Sequence, residues 1–308
     1  DGERWALGYD PVELPAAESS RFKDEGVYLI TGGLGSVGLT IAEFLSRTRR
    51  AKLVLTGRTG LPDREEWPAL LAAEPPSKAA FQIRIVQHLE SLGAEVLIAR
   101  GDVADVASMR AVVAMADARF GRIDGVIHAA GVVGGDGFAP VQQLTPARCE
   151  QQFRSKARGL LALEEALGDR QLELCLLTSS ISCVLGGLGF AAYAAANHFM
   201  DGFAASRRRT PGRPWLALDL DGFQFDGGAE NKTALAALMM TGPEGMAAID
   251  RALAVEPPMH LVVSTADLQS RIERYVIKRA AAPATAVEEP AAKPAGHARP
   301  ELETAYVE

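Results

Sequence analysis

Two hydroxyl-bearing side chains stand at a spacing that would let them share one reaction. Thr178-Ser179-Ser180 closes an apolar run, and Tyr193 follows thirteen residues after Ser180 in Tyr193-Ala194-Ala195-Ala196-Asn197. On a helix, Tyr193 and Asn197 are four apart and share one face. Taken singly, each has a plainer reading. A serine after a strand is usual turn chemistry, and a buried tyrosine often ties its hydroxyl to a nearby hydrogen-bond partner. A different chemistry belongs to Gly33-Leu34-Gly35-Ser36-Val37-Gly38, which fits G-x-G-x-x-G behind the apolar run Val27-Tyr28-Leu29-Ile30-Thr31. Gly33 permits a tight turn, Gly35 lets backbone approach a pyrophosphate, and Gly38 allows close helix–strand packing. The free N–H groups and the positive dipole end of the helix then face the phosphates. Arg58 comes 20 residues after Gly38, where an NAD site usually has an acid. Arginine accommodates a 2′-phosphate instead, so NADPH is the expected cofactor. Asp102 and Val103 would offer a carboxylate and a backbone amide to the adenine edge, although Asp102 could equally cap the next helix. Ala129, Ala130 and Gly131 are small where the ribose and nicotinamide would pass.

These residues need elements to hold them. Short aliphatic runs are expected as strands at 27–31, 52–56, 95–99, 125–128, 172–178, 215–219 and 260–264. Helical periodicity falls at 36–46, 79–92, 106–118, 146–167, 191–208 and 245–254. Strands alternating with helices of this length predict right-handed βαβ units. The fold class is therefore α/β, a Rossmann-type doubly wound parallel sheet with helices on both faces. Ligands in such sheets bind outside the carboxyl ends of the strands, where the expected cofactor residues fall. The proline-bearing segment 60–77 reads as an inserted loop with at most a short helix. The apolar stretch 184–200 is interrupted by three glycines, Asn197 and His198, and is shorter than the roughly 20 residues a membrane span needs. It reads as a buried turn and helix.

The chain has 308 residues, with 48% hydrophobic and 23% charged side chains, ordinary values for a globular protein. Lys and Arg number 32 against 39 Asp and Glu, a net charge of −7 that argues against broad binding to nucleic acid or an anionic membrane. Three irregularly spaced cysteines, Cys149, Cys175 and Cys183, form no disulfide framework, so a reducing, cytoplasmic setting is expected. The five histidines show no ligand spacing, and no metal is expected. Residues 1–20 read as a trailing segment or linker from something upstream, with a short strand near Trp5–Tyr9. Residues 21–279 read as the catalytic domain. Residues 280–308, dominated by Ala, Pro, Glu and Lys over most of their length, read as a flexible linker toward a downstream domain.

A strand-end serine followed by a helical tyrosine, behind a TGG-x-G-x-x-G turn, resembles the short-chain dehydrogenase/reductase superfamily. Most members carry Lys four residues after the Tyr and Asn on the preceding helix. Here Asn197 occupies the Lys position and Lys156 stands upstream in Ser155-Lys156-Ala157-Arg158-Gly159. That exchange, with Val126-Ile127-His128-Ala129-Ala130-Gly131, is similar to the ketoreductase domains of modular polyketide synthases, over about 21–274. The resemblance implies NADPH-dependent reduction of a β-ketoacyl thioester to the β-hydroxyacyl thioester. The substrate would hang from the phosphopantetheine of an acyl carrier domain, beside other domains of the same synthase. Ser180 would hydrogen-bond the ketone oxygen, Tyr193 would give it a proton, and the Lys156 ammonium would hold the phenol below its ordinary pKa of about 10. Asn197 would steady Lys156 and a relay water.

The family's markers of product hand are absent. Leu-Asp-Asp is missing after Val132, where Val133-Gly134-Gly135-Asp136-Gly137 stands, and Leu185 replaces a Trp eight residues before Tyr193. The first absence leans toward an L-hydroxy product. Residues 227–242 would form a lid, with Met239 and Met240 as core residues or substrate contacts. Two other readings are a reductase-inactive or epimerising module of the same fold, and a free-standing reductase of small ketones.

Overall fold

The computed structural model describes residues 7–14, 20–75, 77–132, 137–207, 211–224, 238–255 and 260–277. Seven strands form one sheet: β1 (Val27–Thr31), β2 (Lys52–Gly57), β3 (Glu95–Arg100), β4 (Gly125–His128), β5 (Leu174–Ser180), β6 (Trp215–Leu220) and β7 (Leu261–Val262). Their order is β3-β2-β1-β4-β5-β6-β7, and every pair is parallel. The order reverses between β1 and β4, which opens a crevice at their carboxyl ends.

Strand residues alternate between two cores, because successive side chains leave a strand on opposite faces. Tyr28, Ile30, Leu53, Leu55, Ile127, Leu176 and Leu218 enter one cluster with Ile41, Leu45, Ile83, Leu89 and Ile249. Those last five come from α1 (Ser36–Arg49), α3 (Lys78–Ser91) and α9 (Gly242–Leu253). Leu29, Val54, Val126, Cys175, Leu177 and Ala217 enter the other, with Met109, Val112, Leu160, Leu163, Met200 and Phe203. Those last six come from α4 (Val106–Phe120), α6 (Gly159–Leu167) and α8 (Ala191–Arg207). Burial on both faces is why the strands read as continuous apolar runs.

The structure moves several boundaries. β5 ends at Ser180, two residues beyond the expected limit, because Ser179 and Ser180 pair with Asp219 and Leu220. β7 is only two residues long, far shorter than 260–264. α9 starts three residues early, since Thr241 and Glu244 form a capping box and Pro243 lies in the first turn. The insertion at 60–77 holds a single 3₁₀ turn (Arg64–Glu66) and α2 (Trp67–Ala72). Trp67 is buried there, its indole N–H donating to the Pro62 carbonyl at 2.9 Å. Between α7 (Ser182–Leu185) and α8 the chain is not a buried turn, for Leu188 is 94% exposed. No strand occurs within residues 7–14. The linker 280–308, the marker positions 133–136 and lid residues 227–237 lie outside the described residues. Of the lid's remainder, Met240 is core at 2% exposure and Met239 is partly exposed. Among the described residues no helix is long and apolar enough to cross a membrane.

Candidate active site

The glycine turn has little room for side chains. A Cβ on Gly33 would lie 2.8 Å from the Ile30 carbonyl oxygen, and one on Gly38 would lie 2.5 Å from that of Gly32. Both are backbone contacts that cannot swing aside. Gly35 differs: it is exposed, and the only neighbour a Cβ would meet within 4 Å is the Gly32 carbonyl oxygen, at 3.1 Å. Leu34 and Val37 turn their side chains into the core. α1 begins at Ser36 with Gly35 as N-cap and no side-chain cap. By contrast Ser77, Asp105 and Thr241 cap α3, α4 and α9. The first amides of α1 are thus left for an external acceptor, and the residues fit a dinucleotide's phosphates.

The other expected cofactor residues gather along the same sheet edge. Arg58 is exposed just past β2, and its carbonyl accepts from Arg100 Nε at 3.3 Å. Asp102 follows β3 and does not cap α4. It accepts from Ala104 N–H at 3.0 Å and from the Arg154 guanidinium at 2.6 Å. Burial pushes its carboxyl up, but those hydrogen bonds and the charges of Arg154 and Arg58 hold it below the usual range. Val103 points its side chain into the core. Ala129 and Ala130 follow β4, and Gly131 sits against Lys156: a Cβ there would lie 3.3 Å from Lys156 Cε.

Lys156 reaches the site through an irregularity. α5 (Pro146–Phe153) and α6 are one continuous helix joined by a π-helical turn, Arg154–Arg158. Such turns add a residue and re-aim the side chains that follow. Lys156 is 5% exposed, and its Nζ donates to the Thr178 carbonyl at 3.4 Å. The same Nζ lies 5.5 Å from the centroid of the Tyr193 ring. Burial lowers the Lys156 pKa to about 8, against the opposing pull of Cys183, Asp201 and Asp219.

Tyr193 and Asn197 lie on α8, and Ser180 ends β5, so the structure brings all four candidates together. Tyr193 is half-buried, and Ser180 and Asn197 lie near enough to its hydroxyl to pull its pKa down. Asn197 is fully buried; its Nδ2 donates to the Tyr193 carbonyl at 2.9 Å, while Oδ1 has no partner. The expected lowering of the phenol's pKa is not found. Burial raises it, and Ser180 and Asn197 only partly oppose this. The reason is burial, which is the largest influence on this half-buried phenol.

Three features escaped the sequence reading. Phe138 and Phe190 pack on Tyr193 with ring centroids 5.3 and 5.8 Å away. Phe190 is three residues before Tyr193, an i,i+3 signal that was available. His128, 1% exposed, has Nδ1 2.8 Å from Thr31 Oγ1. Burial and the nearby Lys156 charge drop its pKa to about 3, so it is neutral beneath the π turn.

A parallel sheet with this strand order, a phosphate-cradling turn and a Ser–Tyr–Lys–Asn cluster at its carboxyl edge defines a nicotinamide-dependent oxidoreductase fold. The family model described as "KR domain" matches residues 26–223, and the chain belongs to that family, the ketoreductase domains of polyketide synthases. Family members use a nicotinamide cofactor. The chain is 36% identical over 204 residues to the 6-methylsalicylic acid synthase of Aspergillus terreus, covering 66% of this chain and 11% of that synthase. It is 39% identical over 184 residues to erythronolide synthase EryA3 of Saccharopolyspora erythraea, covering 59% of this chain and 5% of the synthase. It therefore spans about a tenth or less of these relatives' length. Among solved structures, an N-terminal ketoreductase from the macrolactin assembly line is 30% identical with TM-score 0.65, covering 82% of this chain and 47% of that one. A ketoreductase domain from the bacillaene assembly line is 28% identical with TM-score 0.69, covering 84% and 61%.

Proposed function

We propose that this chain catalyses NADPH-dependent reduction of a β-ketoacyl thioester, presented on the phosphopantetheine of an acyl carrier domain, to the β-hydroxyacyl thioester. The observation that carries the reading is the convergence of Ser180, Tyr193, Lys156 and Asn197 from β5, α8 and the π turn. When bound, the reduced nicotinamide supplies the hydride. Negative charge then grows on the ketone oxygen. Ser180 donates a hydrogen bond to that oxygen and Tyr193 gives it a proton, an arrangement set before reaction starts. The Lys156 ammonium steadies the phenolate left behind, and the open Oδ1 of Asn197 is an acceptor for the water that returns the proton. Gly33, Leu34, Gly35, Ser36, Val37 and Gly38 hold the phosphates through backbone, and Arg58 takes the 2′-phosphate. Asp102 and Val103 line the adenine, with Ala129, Ala130 and Gly131 under the ribose and nicotinamide. The expected product is the L-hydroxy thioester. The intact quartet favours an active enzyme over a scaffold, and relatives many times longer favour a tethered substrate.

The test mixes the chain with NADPH and a β-ketoacyl thioester mimic and follows loss of reduced-nicotinamide absorbance. Turnover is expected, and Tyr193→Phe should lower it at least about 10³-fold with unchanged NADPH affinity. A folded, NADPH-binding preparation without turnover would support the scaffold reading. Turnover retained in Tyr193→Phe would remove the phenol from its role.

A further inference from the structure

Beside the site, at the β7 edge of the sheet, lies a second cluster that the sequence scatters. Asp201 on α8, Asp219 on β6 and His260 before β7 bring one ligand atom each within 4.8 Å of one another. His260 Nε2 is 3.0 Å from Asp219 Oδ2 and 3.9 Å from Asp201 Oδ1. Asp201 and Asp219 are 6% and 0% exposed. Yet neither oxygen of Asp201 accepts a hydrogen bond of good geometry, nor does Asp219 Oδ1. Two carboxylates buried this close together are costly as a pair of anions, a cost that a bound cation sharing their open oxygens would offset.

We propose that Asp201 Oδ1, Asp219 Oδ2 and His260 Nε2 form a binding site for a first-row divalent transition ion such as Zn²⁺. Bonds of about 2.1 Å in a tetrahedron place ligand atoms about 3.4 Å apart, between the 3.0 and 3.9 Å that separate His260 Nε2 from the two carboxylates. The donor set of two carboxylates and an imidazole suits zinc; calcium and magnesium demand six or more oxygens. His260 is one-third exposed, which leaves water the fourth position. Cys183 and His198 form a second set that shares Asp201, but His198 Nδ1 is 3.5 Å from Asp201 Oδ2, on the opposite oxygen. The ion would be structural. Among the described residues β7 pairs with β6 through just Leu218–Leu261 and Asp219–Val262, so an ion joining His260 to Asp219 and Asp201 would pin a very short strand.

The experiment takes the whole chain, without a polyhistidine tag, strips it with chelator and adds Zn²⁺. After desalting, elemental analysis should find about one zinc per chain, with a melting temperature above the stripped form. Co²⁺ in its place should give tetrahedral visible bands without a thiolate charge-transfer band. His260→Gln, at a partly exposed position that leaves the core intact, should weaken retention at least tenfold, as should Asp219→Asn, and Cys183→Ala should not. Failure to retain metal, an unchanged melting temperature, or equal retention by the first two variants would overturn the site. A thiolate band would overturn this ligand set. None of these readouts depends on turnover, so the outcome is separate from that of the reductase reading.

Discussion

Replacing Lys156 by methionine should stabilise the fold while abolishing reduction. The amine is buried, and its pKa of about 8 lies below the 10.5 of a free lysine. Below pH 8 both folded and unfolded chains carry the proton, and the native state bears the whole cost of a buried charge. At about 1.36 kcal/mol per pKa unit that cost is about 3 kcal/mol at pH 7. Between pH 8 and 10.5 the unfolded chain binds more protons, so wild-type stability rises with pH and the cost shrinks to roughly 1 kcal/mol near pH 9.5. Methionine keeps the apolar length but loses the bond to the Thr178 carbonyl, which offsets about 1 kcal/mol. The net expectation at pH 7 is a gain of ~2 kcal/mol, or roughly 4–8 °C in Tm for a domain of this size. Urea titrations of both proteins at pH 7 and 9.5 measure it. A variant less stable than wild type at pH 7, or a difference that grows with pH, would refute the argument.

Four other outcomes follow from the same geometry. The reduction rate should fall as pH rises through about 8, where Lys156 loses its proton; a profile flat to pH 10 would show that the ammonium is not needed. Arg58→Ala should weaken NADPH binding by ~10-fold or more with little change for NADH, since a charge-assisted phosphate contact is lost. Equal losses by isothermal titration would contradict the 2′-phosphate assignment. Gly38→Ala should cost at least about 2 kcal/mol, because its Cβ strikes the Gly32 carbonyl at 2.5 Å. On α8, Gly202→Ala, with nothing within 4 Å, should instead gain up to about 1 kcal/mol, as denaturation midpoints will show.

The sheet was legible because strands such as Val27–Thr31 are buried on both faces and must be apolar throughout. The glycine turn was legible because backbone contacts leave Gly33 and Gly38 no alternative. Boundaries failed where polar residues continue a ladder, as at Ser179 and Ser180. For α9 the signal Thr241-Gly242-Pro243-Glu244 was present but overlooked in favour of apolar periodicity. The π turn left no trace, since 146–167 keeps helical periodicity on both sides of it. The direction of the Tyr193 shift was also beyond the sequence, which pairs an amine with a phenol but does not say how far the phenol is buried. His260 and Asp219 are 41 positions apart, so their meeting depends wholly on the sheet order.

The π turn also sets where Lys156 aims. Deleting one residue from Arg154–Arg158 would let the turn close as ordinary α-helix, which keeps Leu160, Leu163 and Leu167 of α6 in the interior but re-aims the side chains inside the turn. A single-codon deletion there would therefore strike the proton chemistry while leaving the hydrophobic interior in place.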